Sequence, residues 1–296
     1  MTASGPLTPH APTTVGATPL ITLDHVRFAY PDGGVVAVDD LSLTIEAGES
    51  IALIGPNGAG KTTVAKLLDG LLRPTAGTVT VAGRDTRTVP VRQLAADVGY
   101  VFQHPGHQLF ARTVAEELAF GPRNLGLATD EVAARVAETA ESFGLTDVLP
   151  THPYRLTLSL RKLVAIASVC TMRPRVLVLD EPTTGQDHRT AERIAAQIER
   201  LVAGGDTVIS LTHDLRLVAE TSSRVLILDA GRLVADGPTR EVLSDETTLA
   251  RSGLRPPAVS VLSRQLPGRA GRPVALTPAE LIGELRDGIP IPGGPA

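Results

Sequence analysis

The stretch GPNGAGKTT at residues 55 to 63 constrains this chain more than any other feature. It matches G-x-x-x-x-G-K-[ST] through Gly55, Gly60, Lys61 and Thr62, and the spacing has a chemical reason. Glycines let the backbone wrap close to a phosphate. The N–H groups running through Asn57, Gly58, Ala59, Gly60, Lys61, Thr62 and Thr63 can then point at phosphate oxygens, with a helix N-terminus behind them. The Lys61 ammonium reaches the β- and γ-phosphates, and the Thr62 hydroxyl ligates Mg²⁺. The flanks agree with this reading: SIALIG before the loop has the aliphatic density of a strand, and KTTVAKLLDGLL after it reads as a helix.

Three further aliphatic runs, at 98–103, 175–180 and 207–213, suit strands covered on both faces of a parallel sheet, with helical sequence between them. Residues 20–48 alternate instead, around the turn PDGG, and predict an antiparallel β region. Residues 113–147 interrupt the alternation with mostly helical sequence, opened by a capping box at Thr113 and Glu116. Further on, Leu163, Ile166, Ala167 and Cys170 fall at the spacing of one buried helix face, with Thr157 or Ser159 as its cap. With 296 residues and 43% hydrophobic content there is ample material for a large core.

The ends differ in kind. Residues 1–18 are rich in Pro, Thr, Ala and Gly and predict disorder. Past residue 240 a Pro/Gly/Arg stretch leads to LTPAELIGEL, where Thr277 caps, Pro278 takes the first helical position, Glu280 closes a capping box and Leu276 staples to Leu281. The expected division is 1–18, a main domain over 19–240 with a helical subdomain at about 104–172, and a helical extension over 241–296.

Charge and cysteine usage exclude some classes. A net charge of −4 gives no bulk attraction to nucleic acid, and one cysteine, Cys170, leaves no internal disulfide framework. No apolar run approaches the roughly 20 residues of a membrane helix, and the first residues lack the basic end and apolar stretch of a signal peptide. Any role at a membrane is therefore expected to need separate membrane subunits.

Chemistry-bearing residues stand at the strand ends. VLVLDEP closes its strand with Asp180 and Glu181, at the edge where open α/β sheets bind ligands. Behind a phosphate loop, Asp180 is expected to hold Mg²⁺, directly or through water, and Glu181 to orient and polarise an attacking water. Gln103 and His213 end two more strands. Either alone reads as a bystander; together they would ring one phosphate site.

In chain order, the phosphate loop, Gln103, the stretch at 156, Asp180–Glu181, TTGQD and His213 resemble the ATP-binding cassette (ABC) ATPases over residues 20 to about 240. The resemblance implies an α/β P-loop NTPase fold with an antiparallel β subdomain, an inserted helical subdomain and a small C-terminal helical extension. It implies ATP and Mg²⁺ as ligands. Tyr30 becomes the aromatic that stacks on adenine, although its residues alone equally allow an ordinary tyrosine beside a turn. Gln103 becomes the Q-loop residue, close to the metal and linked to the helical subdomain. Asp187 falls in the D-loop at a dimer seam, and His213 becomes the switch histidine near the γ-phosphate.

A narrower resemblance is carried by YVFQHPGHQLFARTVAEELAFGPRNLGL, GLRPPAVSVLSRQL and LTPAELIGEL, which look like the energy-coupling factor (ECF) type import ATPases. That group includes cobalt, nickel and vitamin importers. It implies two ATPase subunits clamping a membrane coupling subunit, which carries a small substrate-binding membrane protein, at the cytoplasmic face of the membrane. The groove for the coupling helices is expected around 103–122, with Leu109 and Phe110 as apolar anchors.

One motif departs. Where the family carries Leu-Ser-Gly-Gly-Gln, counting back from VAIA places Leu156, Thr157, Leu158, Ser159 and Leu160; a two-residue shift puts Leu158 and Ser159 first but Leu160 and Arg161 at the glycine positions, so either way the motif is degenerate. In the D-loop, Gln186 stands where Leu is usual. The expected function is an ATP-hydrolysing motor subunit paired with a second, different ATPase. The alternatives are an assembly subunit that holds ATP and hydrolyses it weakly, and a non-transport ABC ATPase acting on nucleic acid or ribosomes. The last usually carries paired cassettes, coiled-coil insertions or basic regions, none of which is evident here.

Overall fold

The computed structural model describes residues 19–31, 34–266 and 273–286. The disorder expected of residues 1–18, the centre of the PDGG turn and most of LPGRAGRP lie outside these.

Alternating sequence produces the first sheet. In β1 (Ile21–Ala29) the side chains of Ile21, Leu23, Val26 and Phe28 are buried, and β2 (Val36–Ile45) pairs antiparallel with it, Ile21 opposite Ile45. Then β3 (Ser50–Ile54) leads through the glycine loop into α1 (Lys61–Leu68). The strands β4 (Ala76–Val81) and β5 (Arg84–Asp85) complete a four-stranded sheet in the order β2-β1-β4-β5, and a short α2 (Val91–Leu94) follows.

Next come β6 (Val98–Val101), α3 (Val114–Asn124), α4 (Thr129–Ser142), α5 (Leu158–Cys170) and β7 (Val176–Asp180). They are followed by α6 (His188–Ala203), β8 (Thr207–Leu211), α7 (Leu215–Thr221), β9 (Arg224–Asp229) and β10 (Arg232–Pro238). The second sheet has the order β10-β9-β3-β8-β7-β6, parallel from β9 to β6, with β10 antiparallel at its edge.

Every residue of β3, β7 and β8 is buried, as strands covered on both faces require. The pleat divides them. Ile51, Leu53, Val176, Val178, Ile209 and Leu211 pack with α1 and the first sheet, whereas Leu177, Leu179 and Val208 pack with α5 and α6. Arg224 ties the layers together: its guanidinium binds Asp236 at 2.6 and 2.7 Å, Glu49 at 3.2 Å and the Thr44 carbonyl at 3.0 Å.

The caps form with one refinement. Thr113 accepts the Glu116 amide at 3.1 Å and Thr277 accepts the Glu280 amide at 3.2 Å, as the sequence leads one to expect. The reciprocal glutamates reach one residue further back, Glu116 to the Arg112 amide and Glu280 to that of Leu276. After β10 the chain forms α8 (Thr239–Ser244), α9 (Glu246–Arg251), α10 (Ala258–Gln265) and α11 (Pro278–Arg286), with Leu276 and Leu281 both buried.

One buried carboxyl gives a pH-dependent prediction. Asp69, at the end of α1, is 6% exposed and accepts the Leu71 amide at 2.9 Å; burial pushes its pKa up to about 6. Between the unfolded value of about 3.9 and that raised value the folded state holds the extra proton, so stability falls as pH rises through the window. Asp69→Asn keeps an oxygen for Leu71 and removes the charge. It is expected to stabilise the chain by about 1–3 kcal/mol at pH 7.5 and by less than about 0.5 kcal/mol at pH 4, read from denaturant midpoints. Equal effects at both pH values would refute the assignment.

Candidate nucleotide site

The loop after β3 bends in ways only glycine accepts. Gly55 and Gly60 have φ of 150° and 101°, and a Cβ on them would stand 2.1 Å from the Leu228 carbonyl oxygen and 2.2 Å from that of Ala37. Close approach of β9 and β2 thus dictates both residues. The Lys61 ammonium curls over the loop and donates to the carbonyls of Gly55 at 2.7 Å and Pro56 at 3.0 Å. Burial lowers its pKa, opposed by the nearby carboxylates of Glu181 and Asp180.

The sheet order does the rest, because β3, β8, β7 and β6 are neighbours and parallel, so their carboxyl ends open on one side. Asp180 ends β7. Its Oδ2 accepts the Tyr100 hydroxyl at 2.7 Å, and the Thr62 hydroxyl stands 3.5 Å away. Burial and the Asp180 carboxylate together hold the Tyr100 phenol protonated.

Glu181 follows in the left-handed region, φ 46°, a conformation that strains a residue with a Cβ. Its amide is held by the Leu211 carbonyl at 2.8 Å, and its carboxylate accepts the hydroxyls of Thr184 at 3.0 Å and Thr212 at 3.4 Å. His213, just past β8, places Nδ1 2.9 Å from the same carboxylate. An ionised carboxylate only accepts, so the imidazole carries its proton on Nδ1 there.

Tyr30, residues 57–63, Gln103, Asp180, Glu181 and His213 line a single cleft of about 500 Å³. Of the expected site residues only Gly55 stands outside the lining, beneath the loop it shapes. Tyr30 lies at the rim, its ring edge-on to Phe28 with centroids 4.9 Å apart and its hydroxyl 3.2 Å from Thr63 Oγ1.

For Mg²⁺, the oxygen donors here are the Thr62 hydroxyl and the Asp180 carboxylate, with Gln103 on the same cleft. Among the described residues no group of three or more His, Cys, Asp or Glu gathers as a cage. One carboxylate with a hydroxyl fits an ion that takes its remaining positions from phosphates and water.

The stretch 156–160 is not part of this lining. Thr157 is the cap of α5, accepting the Leu160 amide at 3.3 Å, and Leu158 is 53% exposed. Ser159 does not cap; its hydroxyl donates to Asp187 Oδ2 at 3.0 Å. Asp187 in turn caps α6 through the Thr190 amide at 2.8 Å.

Two residues behind the site's lining escaped sequence reading: Tyr100, on Asp180, and Lys162, whose ammonium meets the carbonyls of Phe102, Gln103 and Asp180. Their signal was a polar group at an apolar position. Lys162 shares the i, i+3, i+4, i+7 row with Ala165, Ile166 and Val169, all buried.

A second hollow, about 360 Å³, lies between α2, α3 and α5, lined by Phe110, Phe120, Gln108, Glu117, Leu125 and Met172 among others. Phe110 and Phe120 are 62% and 46% exposed, with rings 4.7 Å apart edge to face. The buried Glu117 carboxylate accepts the amides of Phe110 at 2.9 Å and Ala111 at 2.8 Å, which turns Phe110 outward. Leu109, expected on this surface, instead packs into the core at 3% exposure.

The ABC transporter family pattern matches residues 38–184. The chain is 44% identical over 246 residues to the cobalt import ATP-binding protein CbiO of Rhodobacter capsulatus, covering 82% of this chain and 87% of that protein. It is 40% identical over 249 residues to the energy-coupling factor transporter ATP-binding protein EcfA of Methanothermobacter thermautotrophicus, covering 83% and 80%. Another 40% identical relative, from Caldanaerobacter subterraneus, is longer, and this chain spans 43% of it. Among solved structures, cbiO1 from Clostridium perfringens, described as part of the ABC transporter complex cbiONQ, superposes with a TM-score of 0.71 at 30% identity, covering 80% of this chain and 95% of that one.

Proposed function

This chain belongs to the ABC transporter family of ATPases, and we propose that within it the chain is the motor subunit of an ECF-type importer of a transition-metal ion or vitamin. The observation that carries the reading is the ring of groups at four neighbouring strand ends around one cleft. In that cleft Lys61 and the loop amides bind the phosphates of ATP, Tyr30 meets the adenine, and Thr62, Asp180 and Gln103 hold Mg²⁺. An ion held by these residues would supply positive charge to offset that of the phosphates. Glu181 orients and polarises the attacking water, and His213 stands beside it toward the γ-phosphate.

No helix among the described residues is long and apolar enough to cross a membrane. The proposed partners are therefore a membrane coupling subunit, a substrate-binding membrane subunit and a second ATPase, with this chain peripheral at the cytoplasmic face. Phe110 and Phe120 offer the apolar contact for a coupling helix.

Co-expressed with its membrane partners, the chain is expected to fractionate with membranes, and Phe110→Asp with Phe120→Asp to release most of it while nucleotide binding persists. Undiminished membrane recovery of the double variant would count against this surface. Loss of ATP binding by the parent chain after Lys61→Ala tests the cleft separately.

A further inference from the structure

Lys162 is completely buried, 0% exposed, in the middle of α5. An ammonium taken out of water is costly unless its donors are met, and burial lowers its pKa to about 8. Its partners are all backbone carbonyls: Gln103 at 3.0 Å, Phe102 at 3.1 Å and Asp180 at 3.4 Å. Three donors of one ammonium thus meet three carbonyls.

The position of those carbonyls matters. Phe102 and Gln103 leave the end of β6 and Asp180 ends β7, the strand beside it, just where ladder hydrogen bonding stops. An apolar residue at 162 would leave these acceptors without that donor. Tyr100 orients the Asp180 side chain from one side, and Lys162 holds its backbone from the other. Meanwhile α5 begins at Leu158, in the degenerate stretch that ties to Asp187.

We propose that Lys162 is a positioning residue for the nucleotide site, its ammonium holding the Q-loop backbone and the Asp180 strand end in fixed register with α5. A shift of α5 then moves Gln103 and Asp180 together. The proposal deepens the ATP-site reading and rests on it for the identity of the ligand. A side chain that only filled the core would leave the metal-facing residues indifferent to its donors.

The test uses the full chain with Lys162→Met, an unbranched side chain one atom shorter that loses the donors, and Lys162→Gln, which keeps an N–H donor. ATP affinity is measured by calorimetry with Mg²⁺ and in EDTA, and backbone hydrogen exchange is followed without nucleotide. In Lys162→Met the enhancement of ATP affinity by Mg²⁺ is expected to fall by roughly tenfold with the EDTA value little changed, as when a residue supporting a metal ligand is removed. Exchange at 101–104 and at 180 and 181 should quicken about tenfold while β1, β2 and β4 stay protected, and Lys162→Gln should fall between. Unchanged enhancement with unchanged local exchange would overturn the proposal. So would global unfolding of both variants, or exchange raised evenly throughout, since either makes Lys162 a structural residue. If the parent chain binds no ATP under either condition, the ATP-site reading fails, and the exchange pattern still decides the role of Lys162.

Discussion

Glu181→Gln is expected to leave ATP binding nearly intact and to slow hydrolysis by about 10² to 10³, the loss that follows removal of a well-placed general base. The geometry explains why the two effects separate. In the proposed reading the phosphates are bound by loop amides and Lys61, none of them hydrogen-bonded to Glu181, whereas the Glu181 carboxylate on the same cleft is aimed at the attacking water. That aim is held by force. A left-handed φ of 46° is disfavoured by about 1–2 kcal/mol and persists because the Leu211 carbonyl, two threonine hydroxyls and His213 over-determine it. A glutamine fills the same shape and keeps one accepting oxygen for Thr184, but its amide nitrogen only donates and takes no proton. Lys61→Ala should do the opposite and weaken binding itself. Single-turnover hydrolysis in the complex with the proposed second ATPase, beside nucleotide titration of each variant, distinguishes the two. Unchanged turnover in Glu181→Gln would remove Glu181 from the chemistry.

Much of this site was legible in the sequence because it is built from regular parts. Four aliphatic runs, one leading into a glycine pattern with a chemical reason and three ending in a polar residue, come together once a parallel sheet aligns the ends. Where period could not decide, the reading slipped. Leu109 and Phe110 are adjacent apolar residues with no periodic pattern to separate them; the buried Glu117 carboxylate, seven residues beyond Phe110, sets the turn that sends one in and the other out. Thr157 and Ser159 are both hydroxyl residues before an apolar run, and only the fold shows that Thr157 caps while Ser159 reaches Asp187, 28 residues away. The place of Lys162 on an apolar row marks it for burial, but its acceptors are backbone carbonyls, which no residue name encodes.

The departure at 156–160 leads to the last expected result, an ATPase with unequal sites. In the family's sandwich dimer each nucleotide lies between one chain's phosphate loop and the other chain's signature, whose serine hydroxyl and glycine amides approach the γ-phosphate. Here α5 begins at Leu158, and its first N–H groups have no acceptor within the helix. What is missing is access. Leu158 puts an exposed branched side chain at that end, Thr157 has its hydroxyl engaged as the cap, and Ser159 is tied to Asp187 of its own chain. Losing preorganised donors of this kind slows reactions by about 10² to 10³. A site completed by this signature should therefore hold ATP and turn it over slowly, and the chain purified alone should hydrolyse feebly. Paired with an ATPase whose signature is intact, the competent site is the one formed by Lys61, Glu181 and His213 of this chain, so Glu181→Gln here should abolish most activity of the pair. Leu158→Gly with Ser159→Gly opens the backbone and frees Asp187, and is expected to raise the activity of the chain alone by about tenfold or more. Ser159→Ala, which breaks the tie to Asp187 and leaves Leu158 in place, should not. Vigorous hydrolysis by the unmodified chain alone, indifferent to changes at 157–160, would overturn the asymmetry.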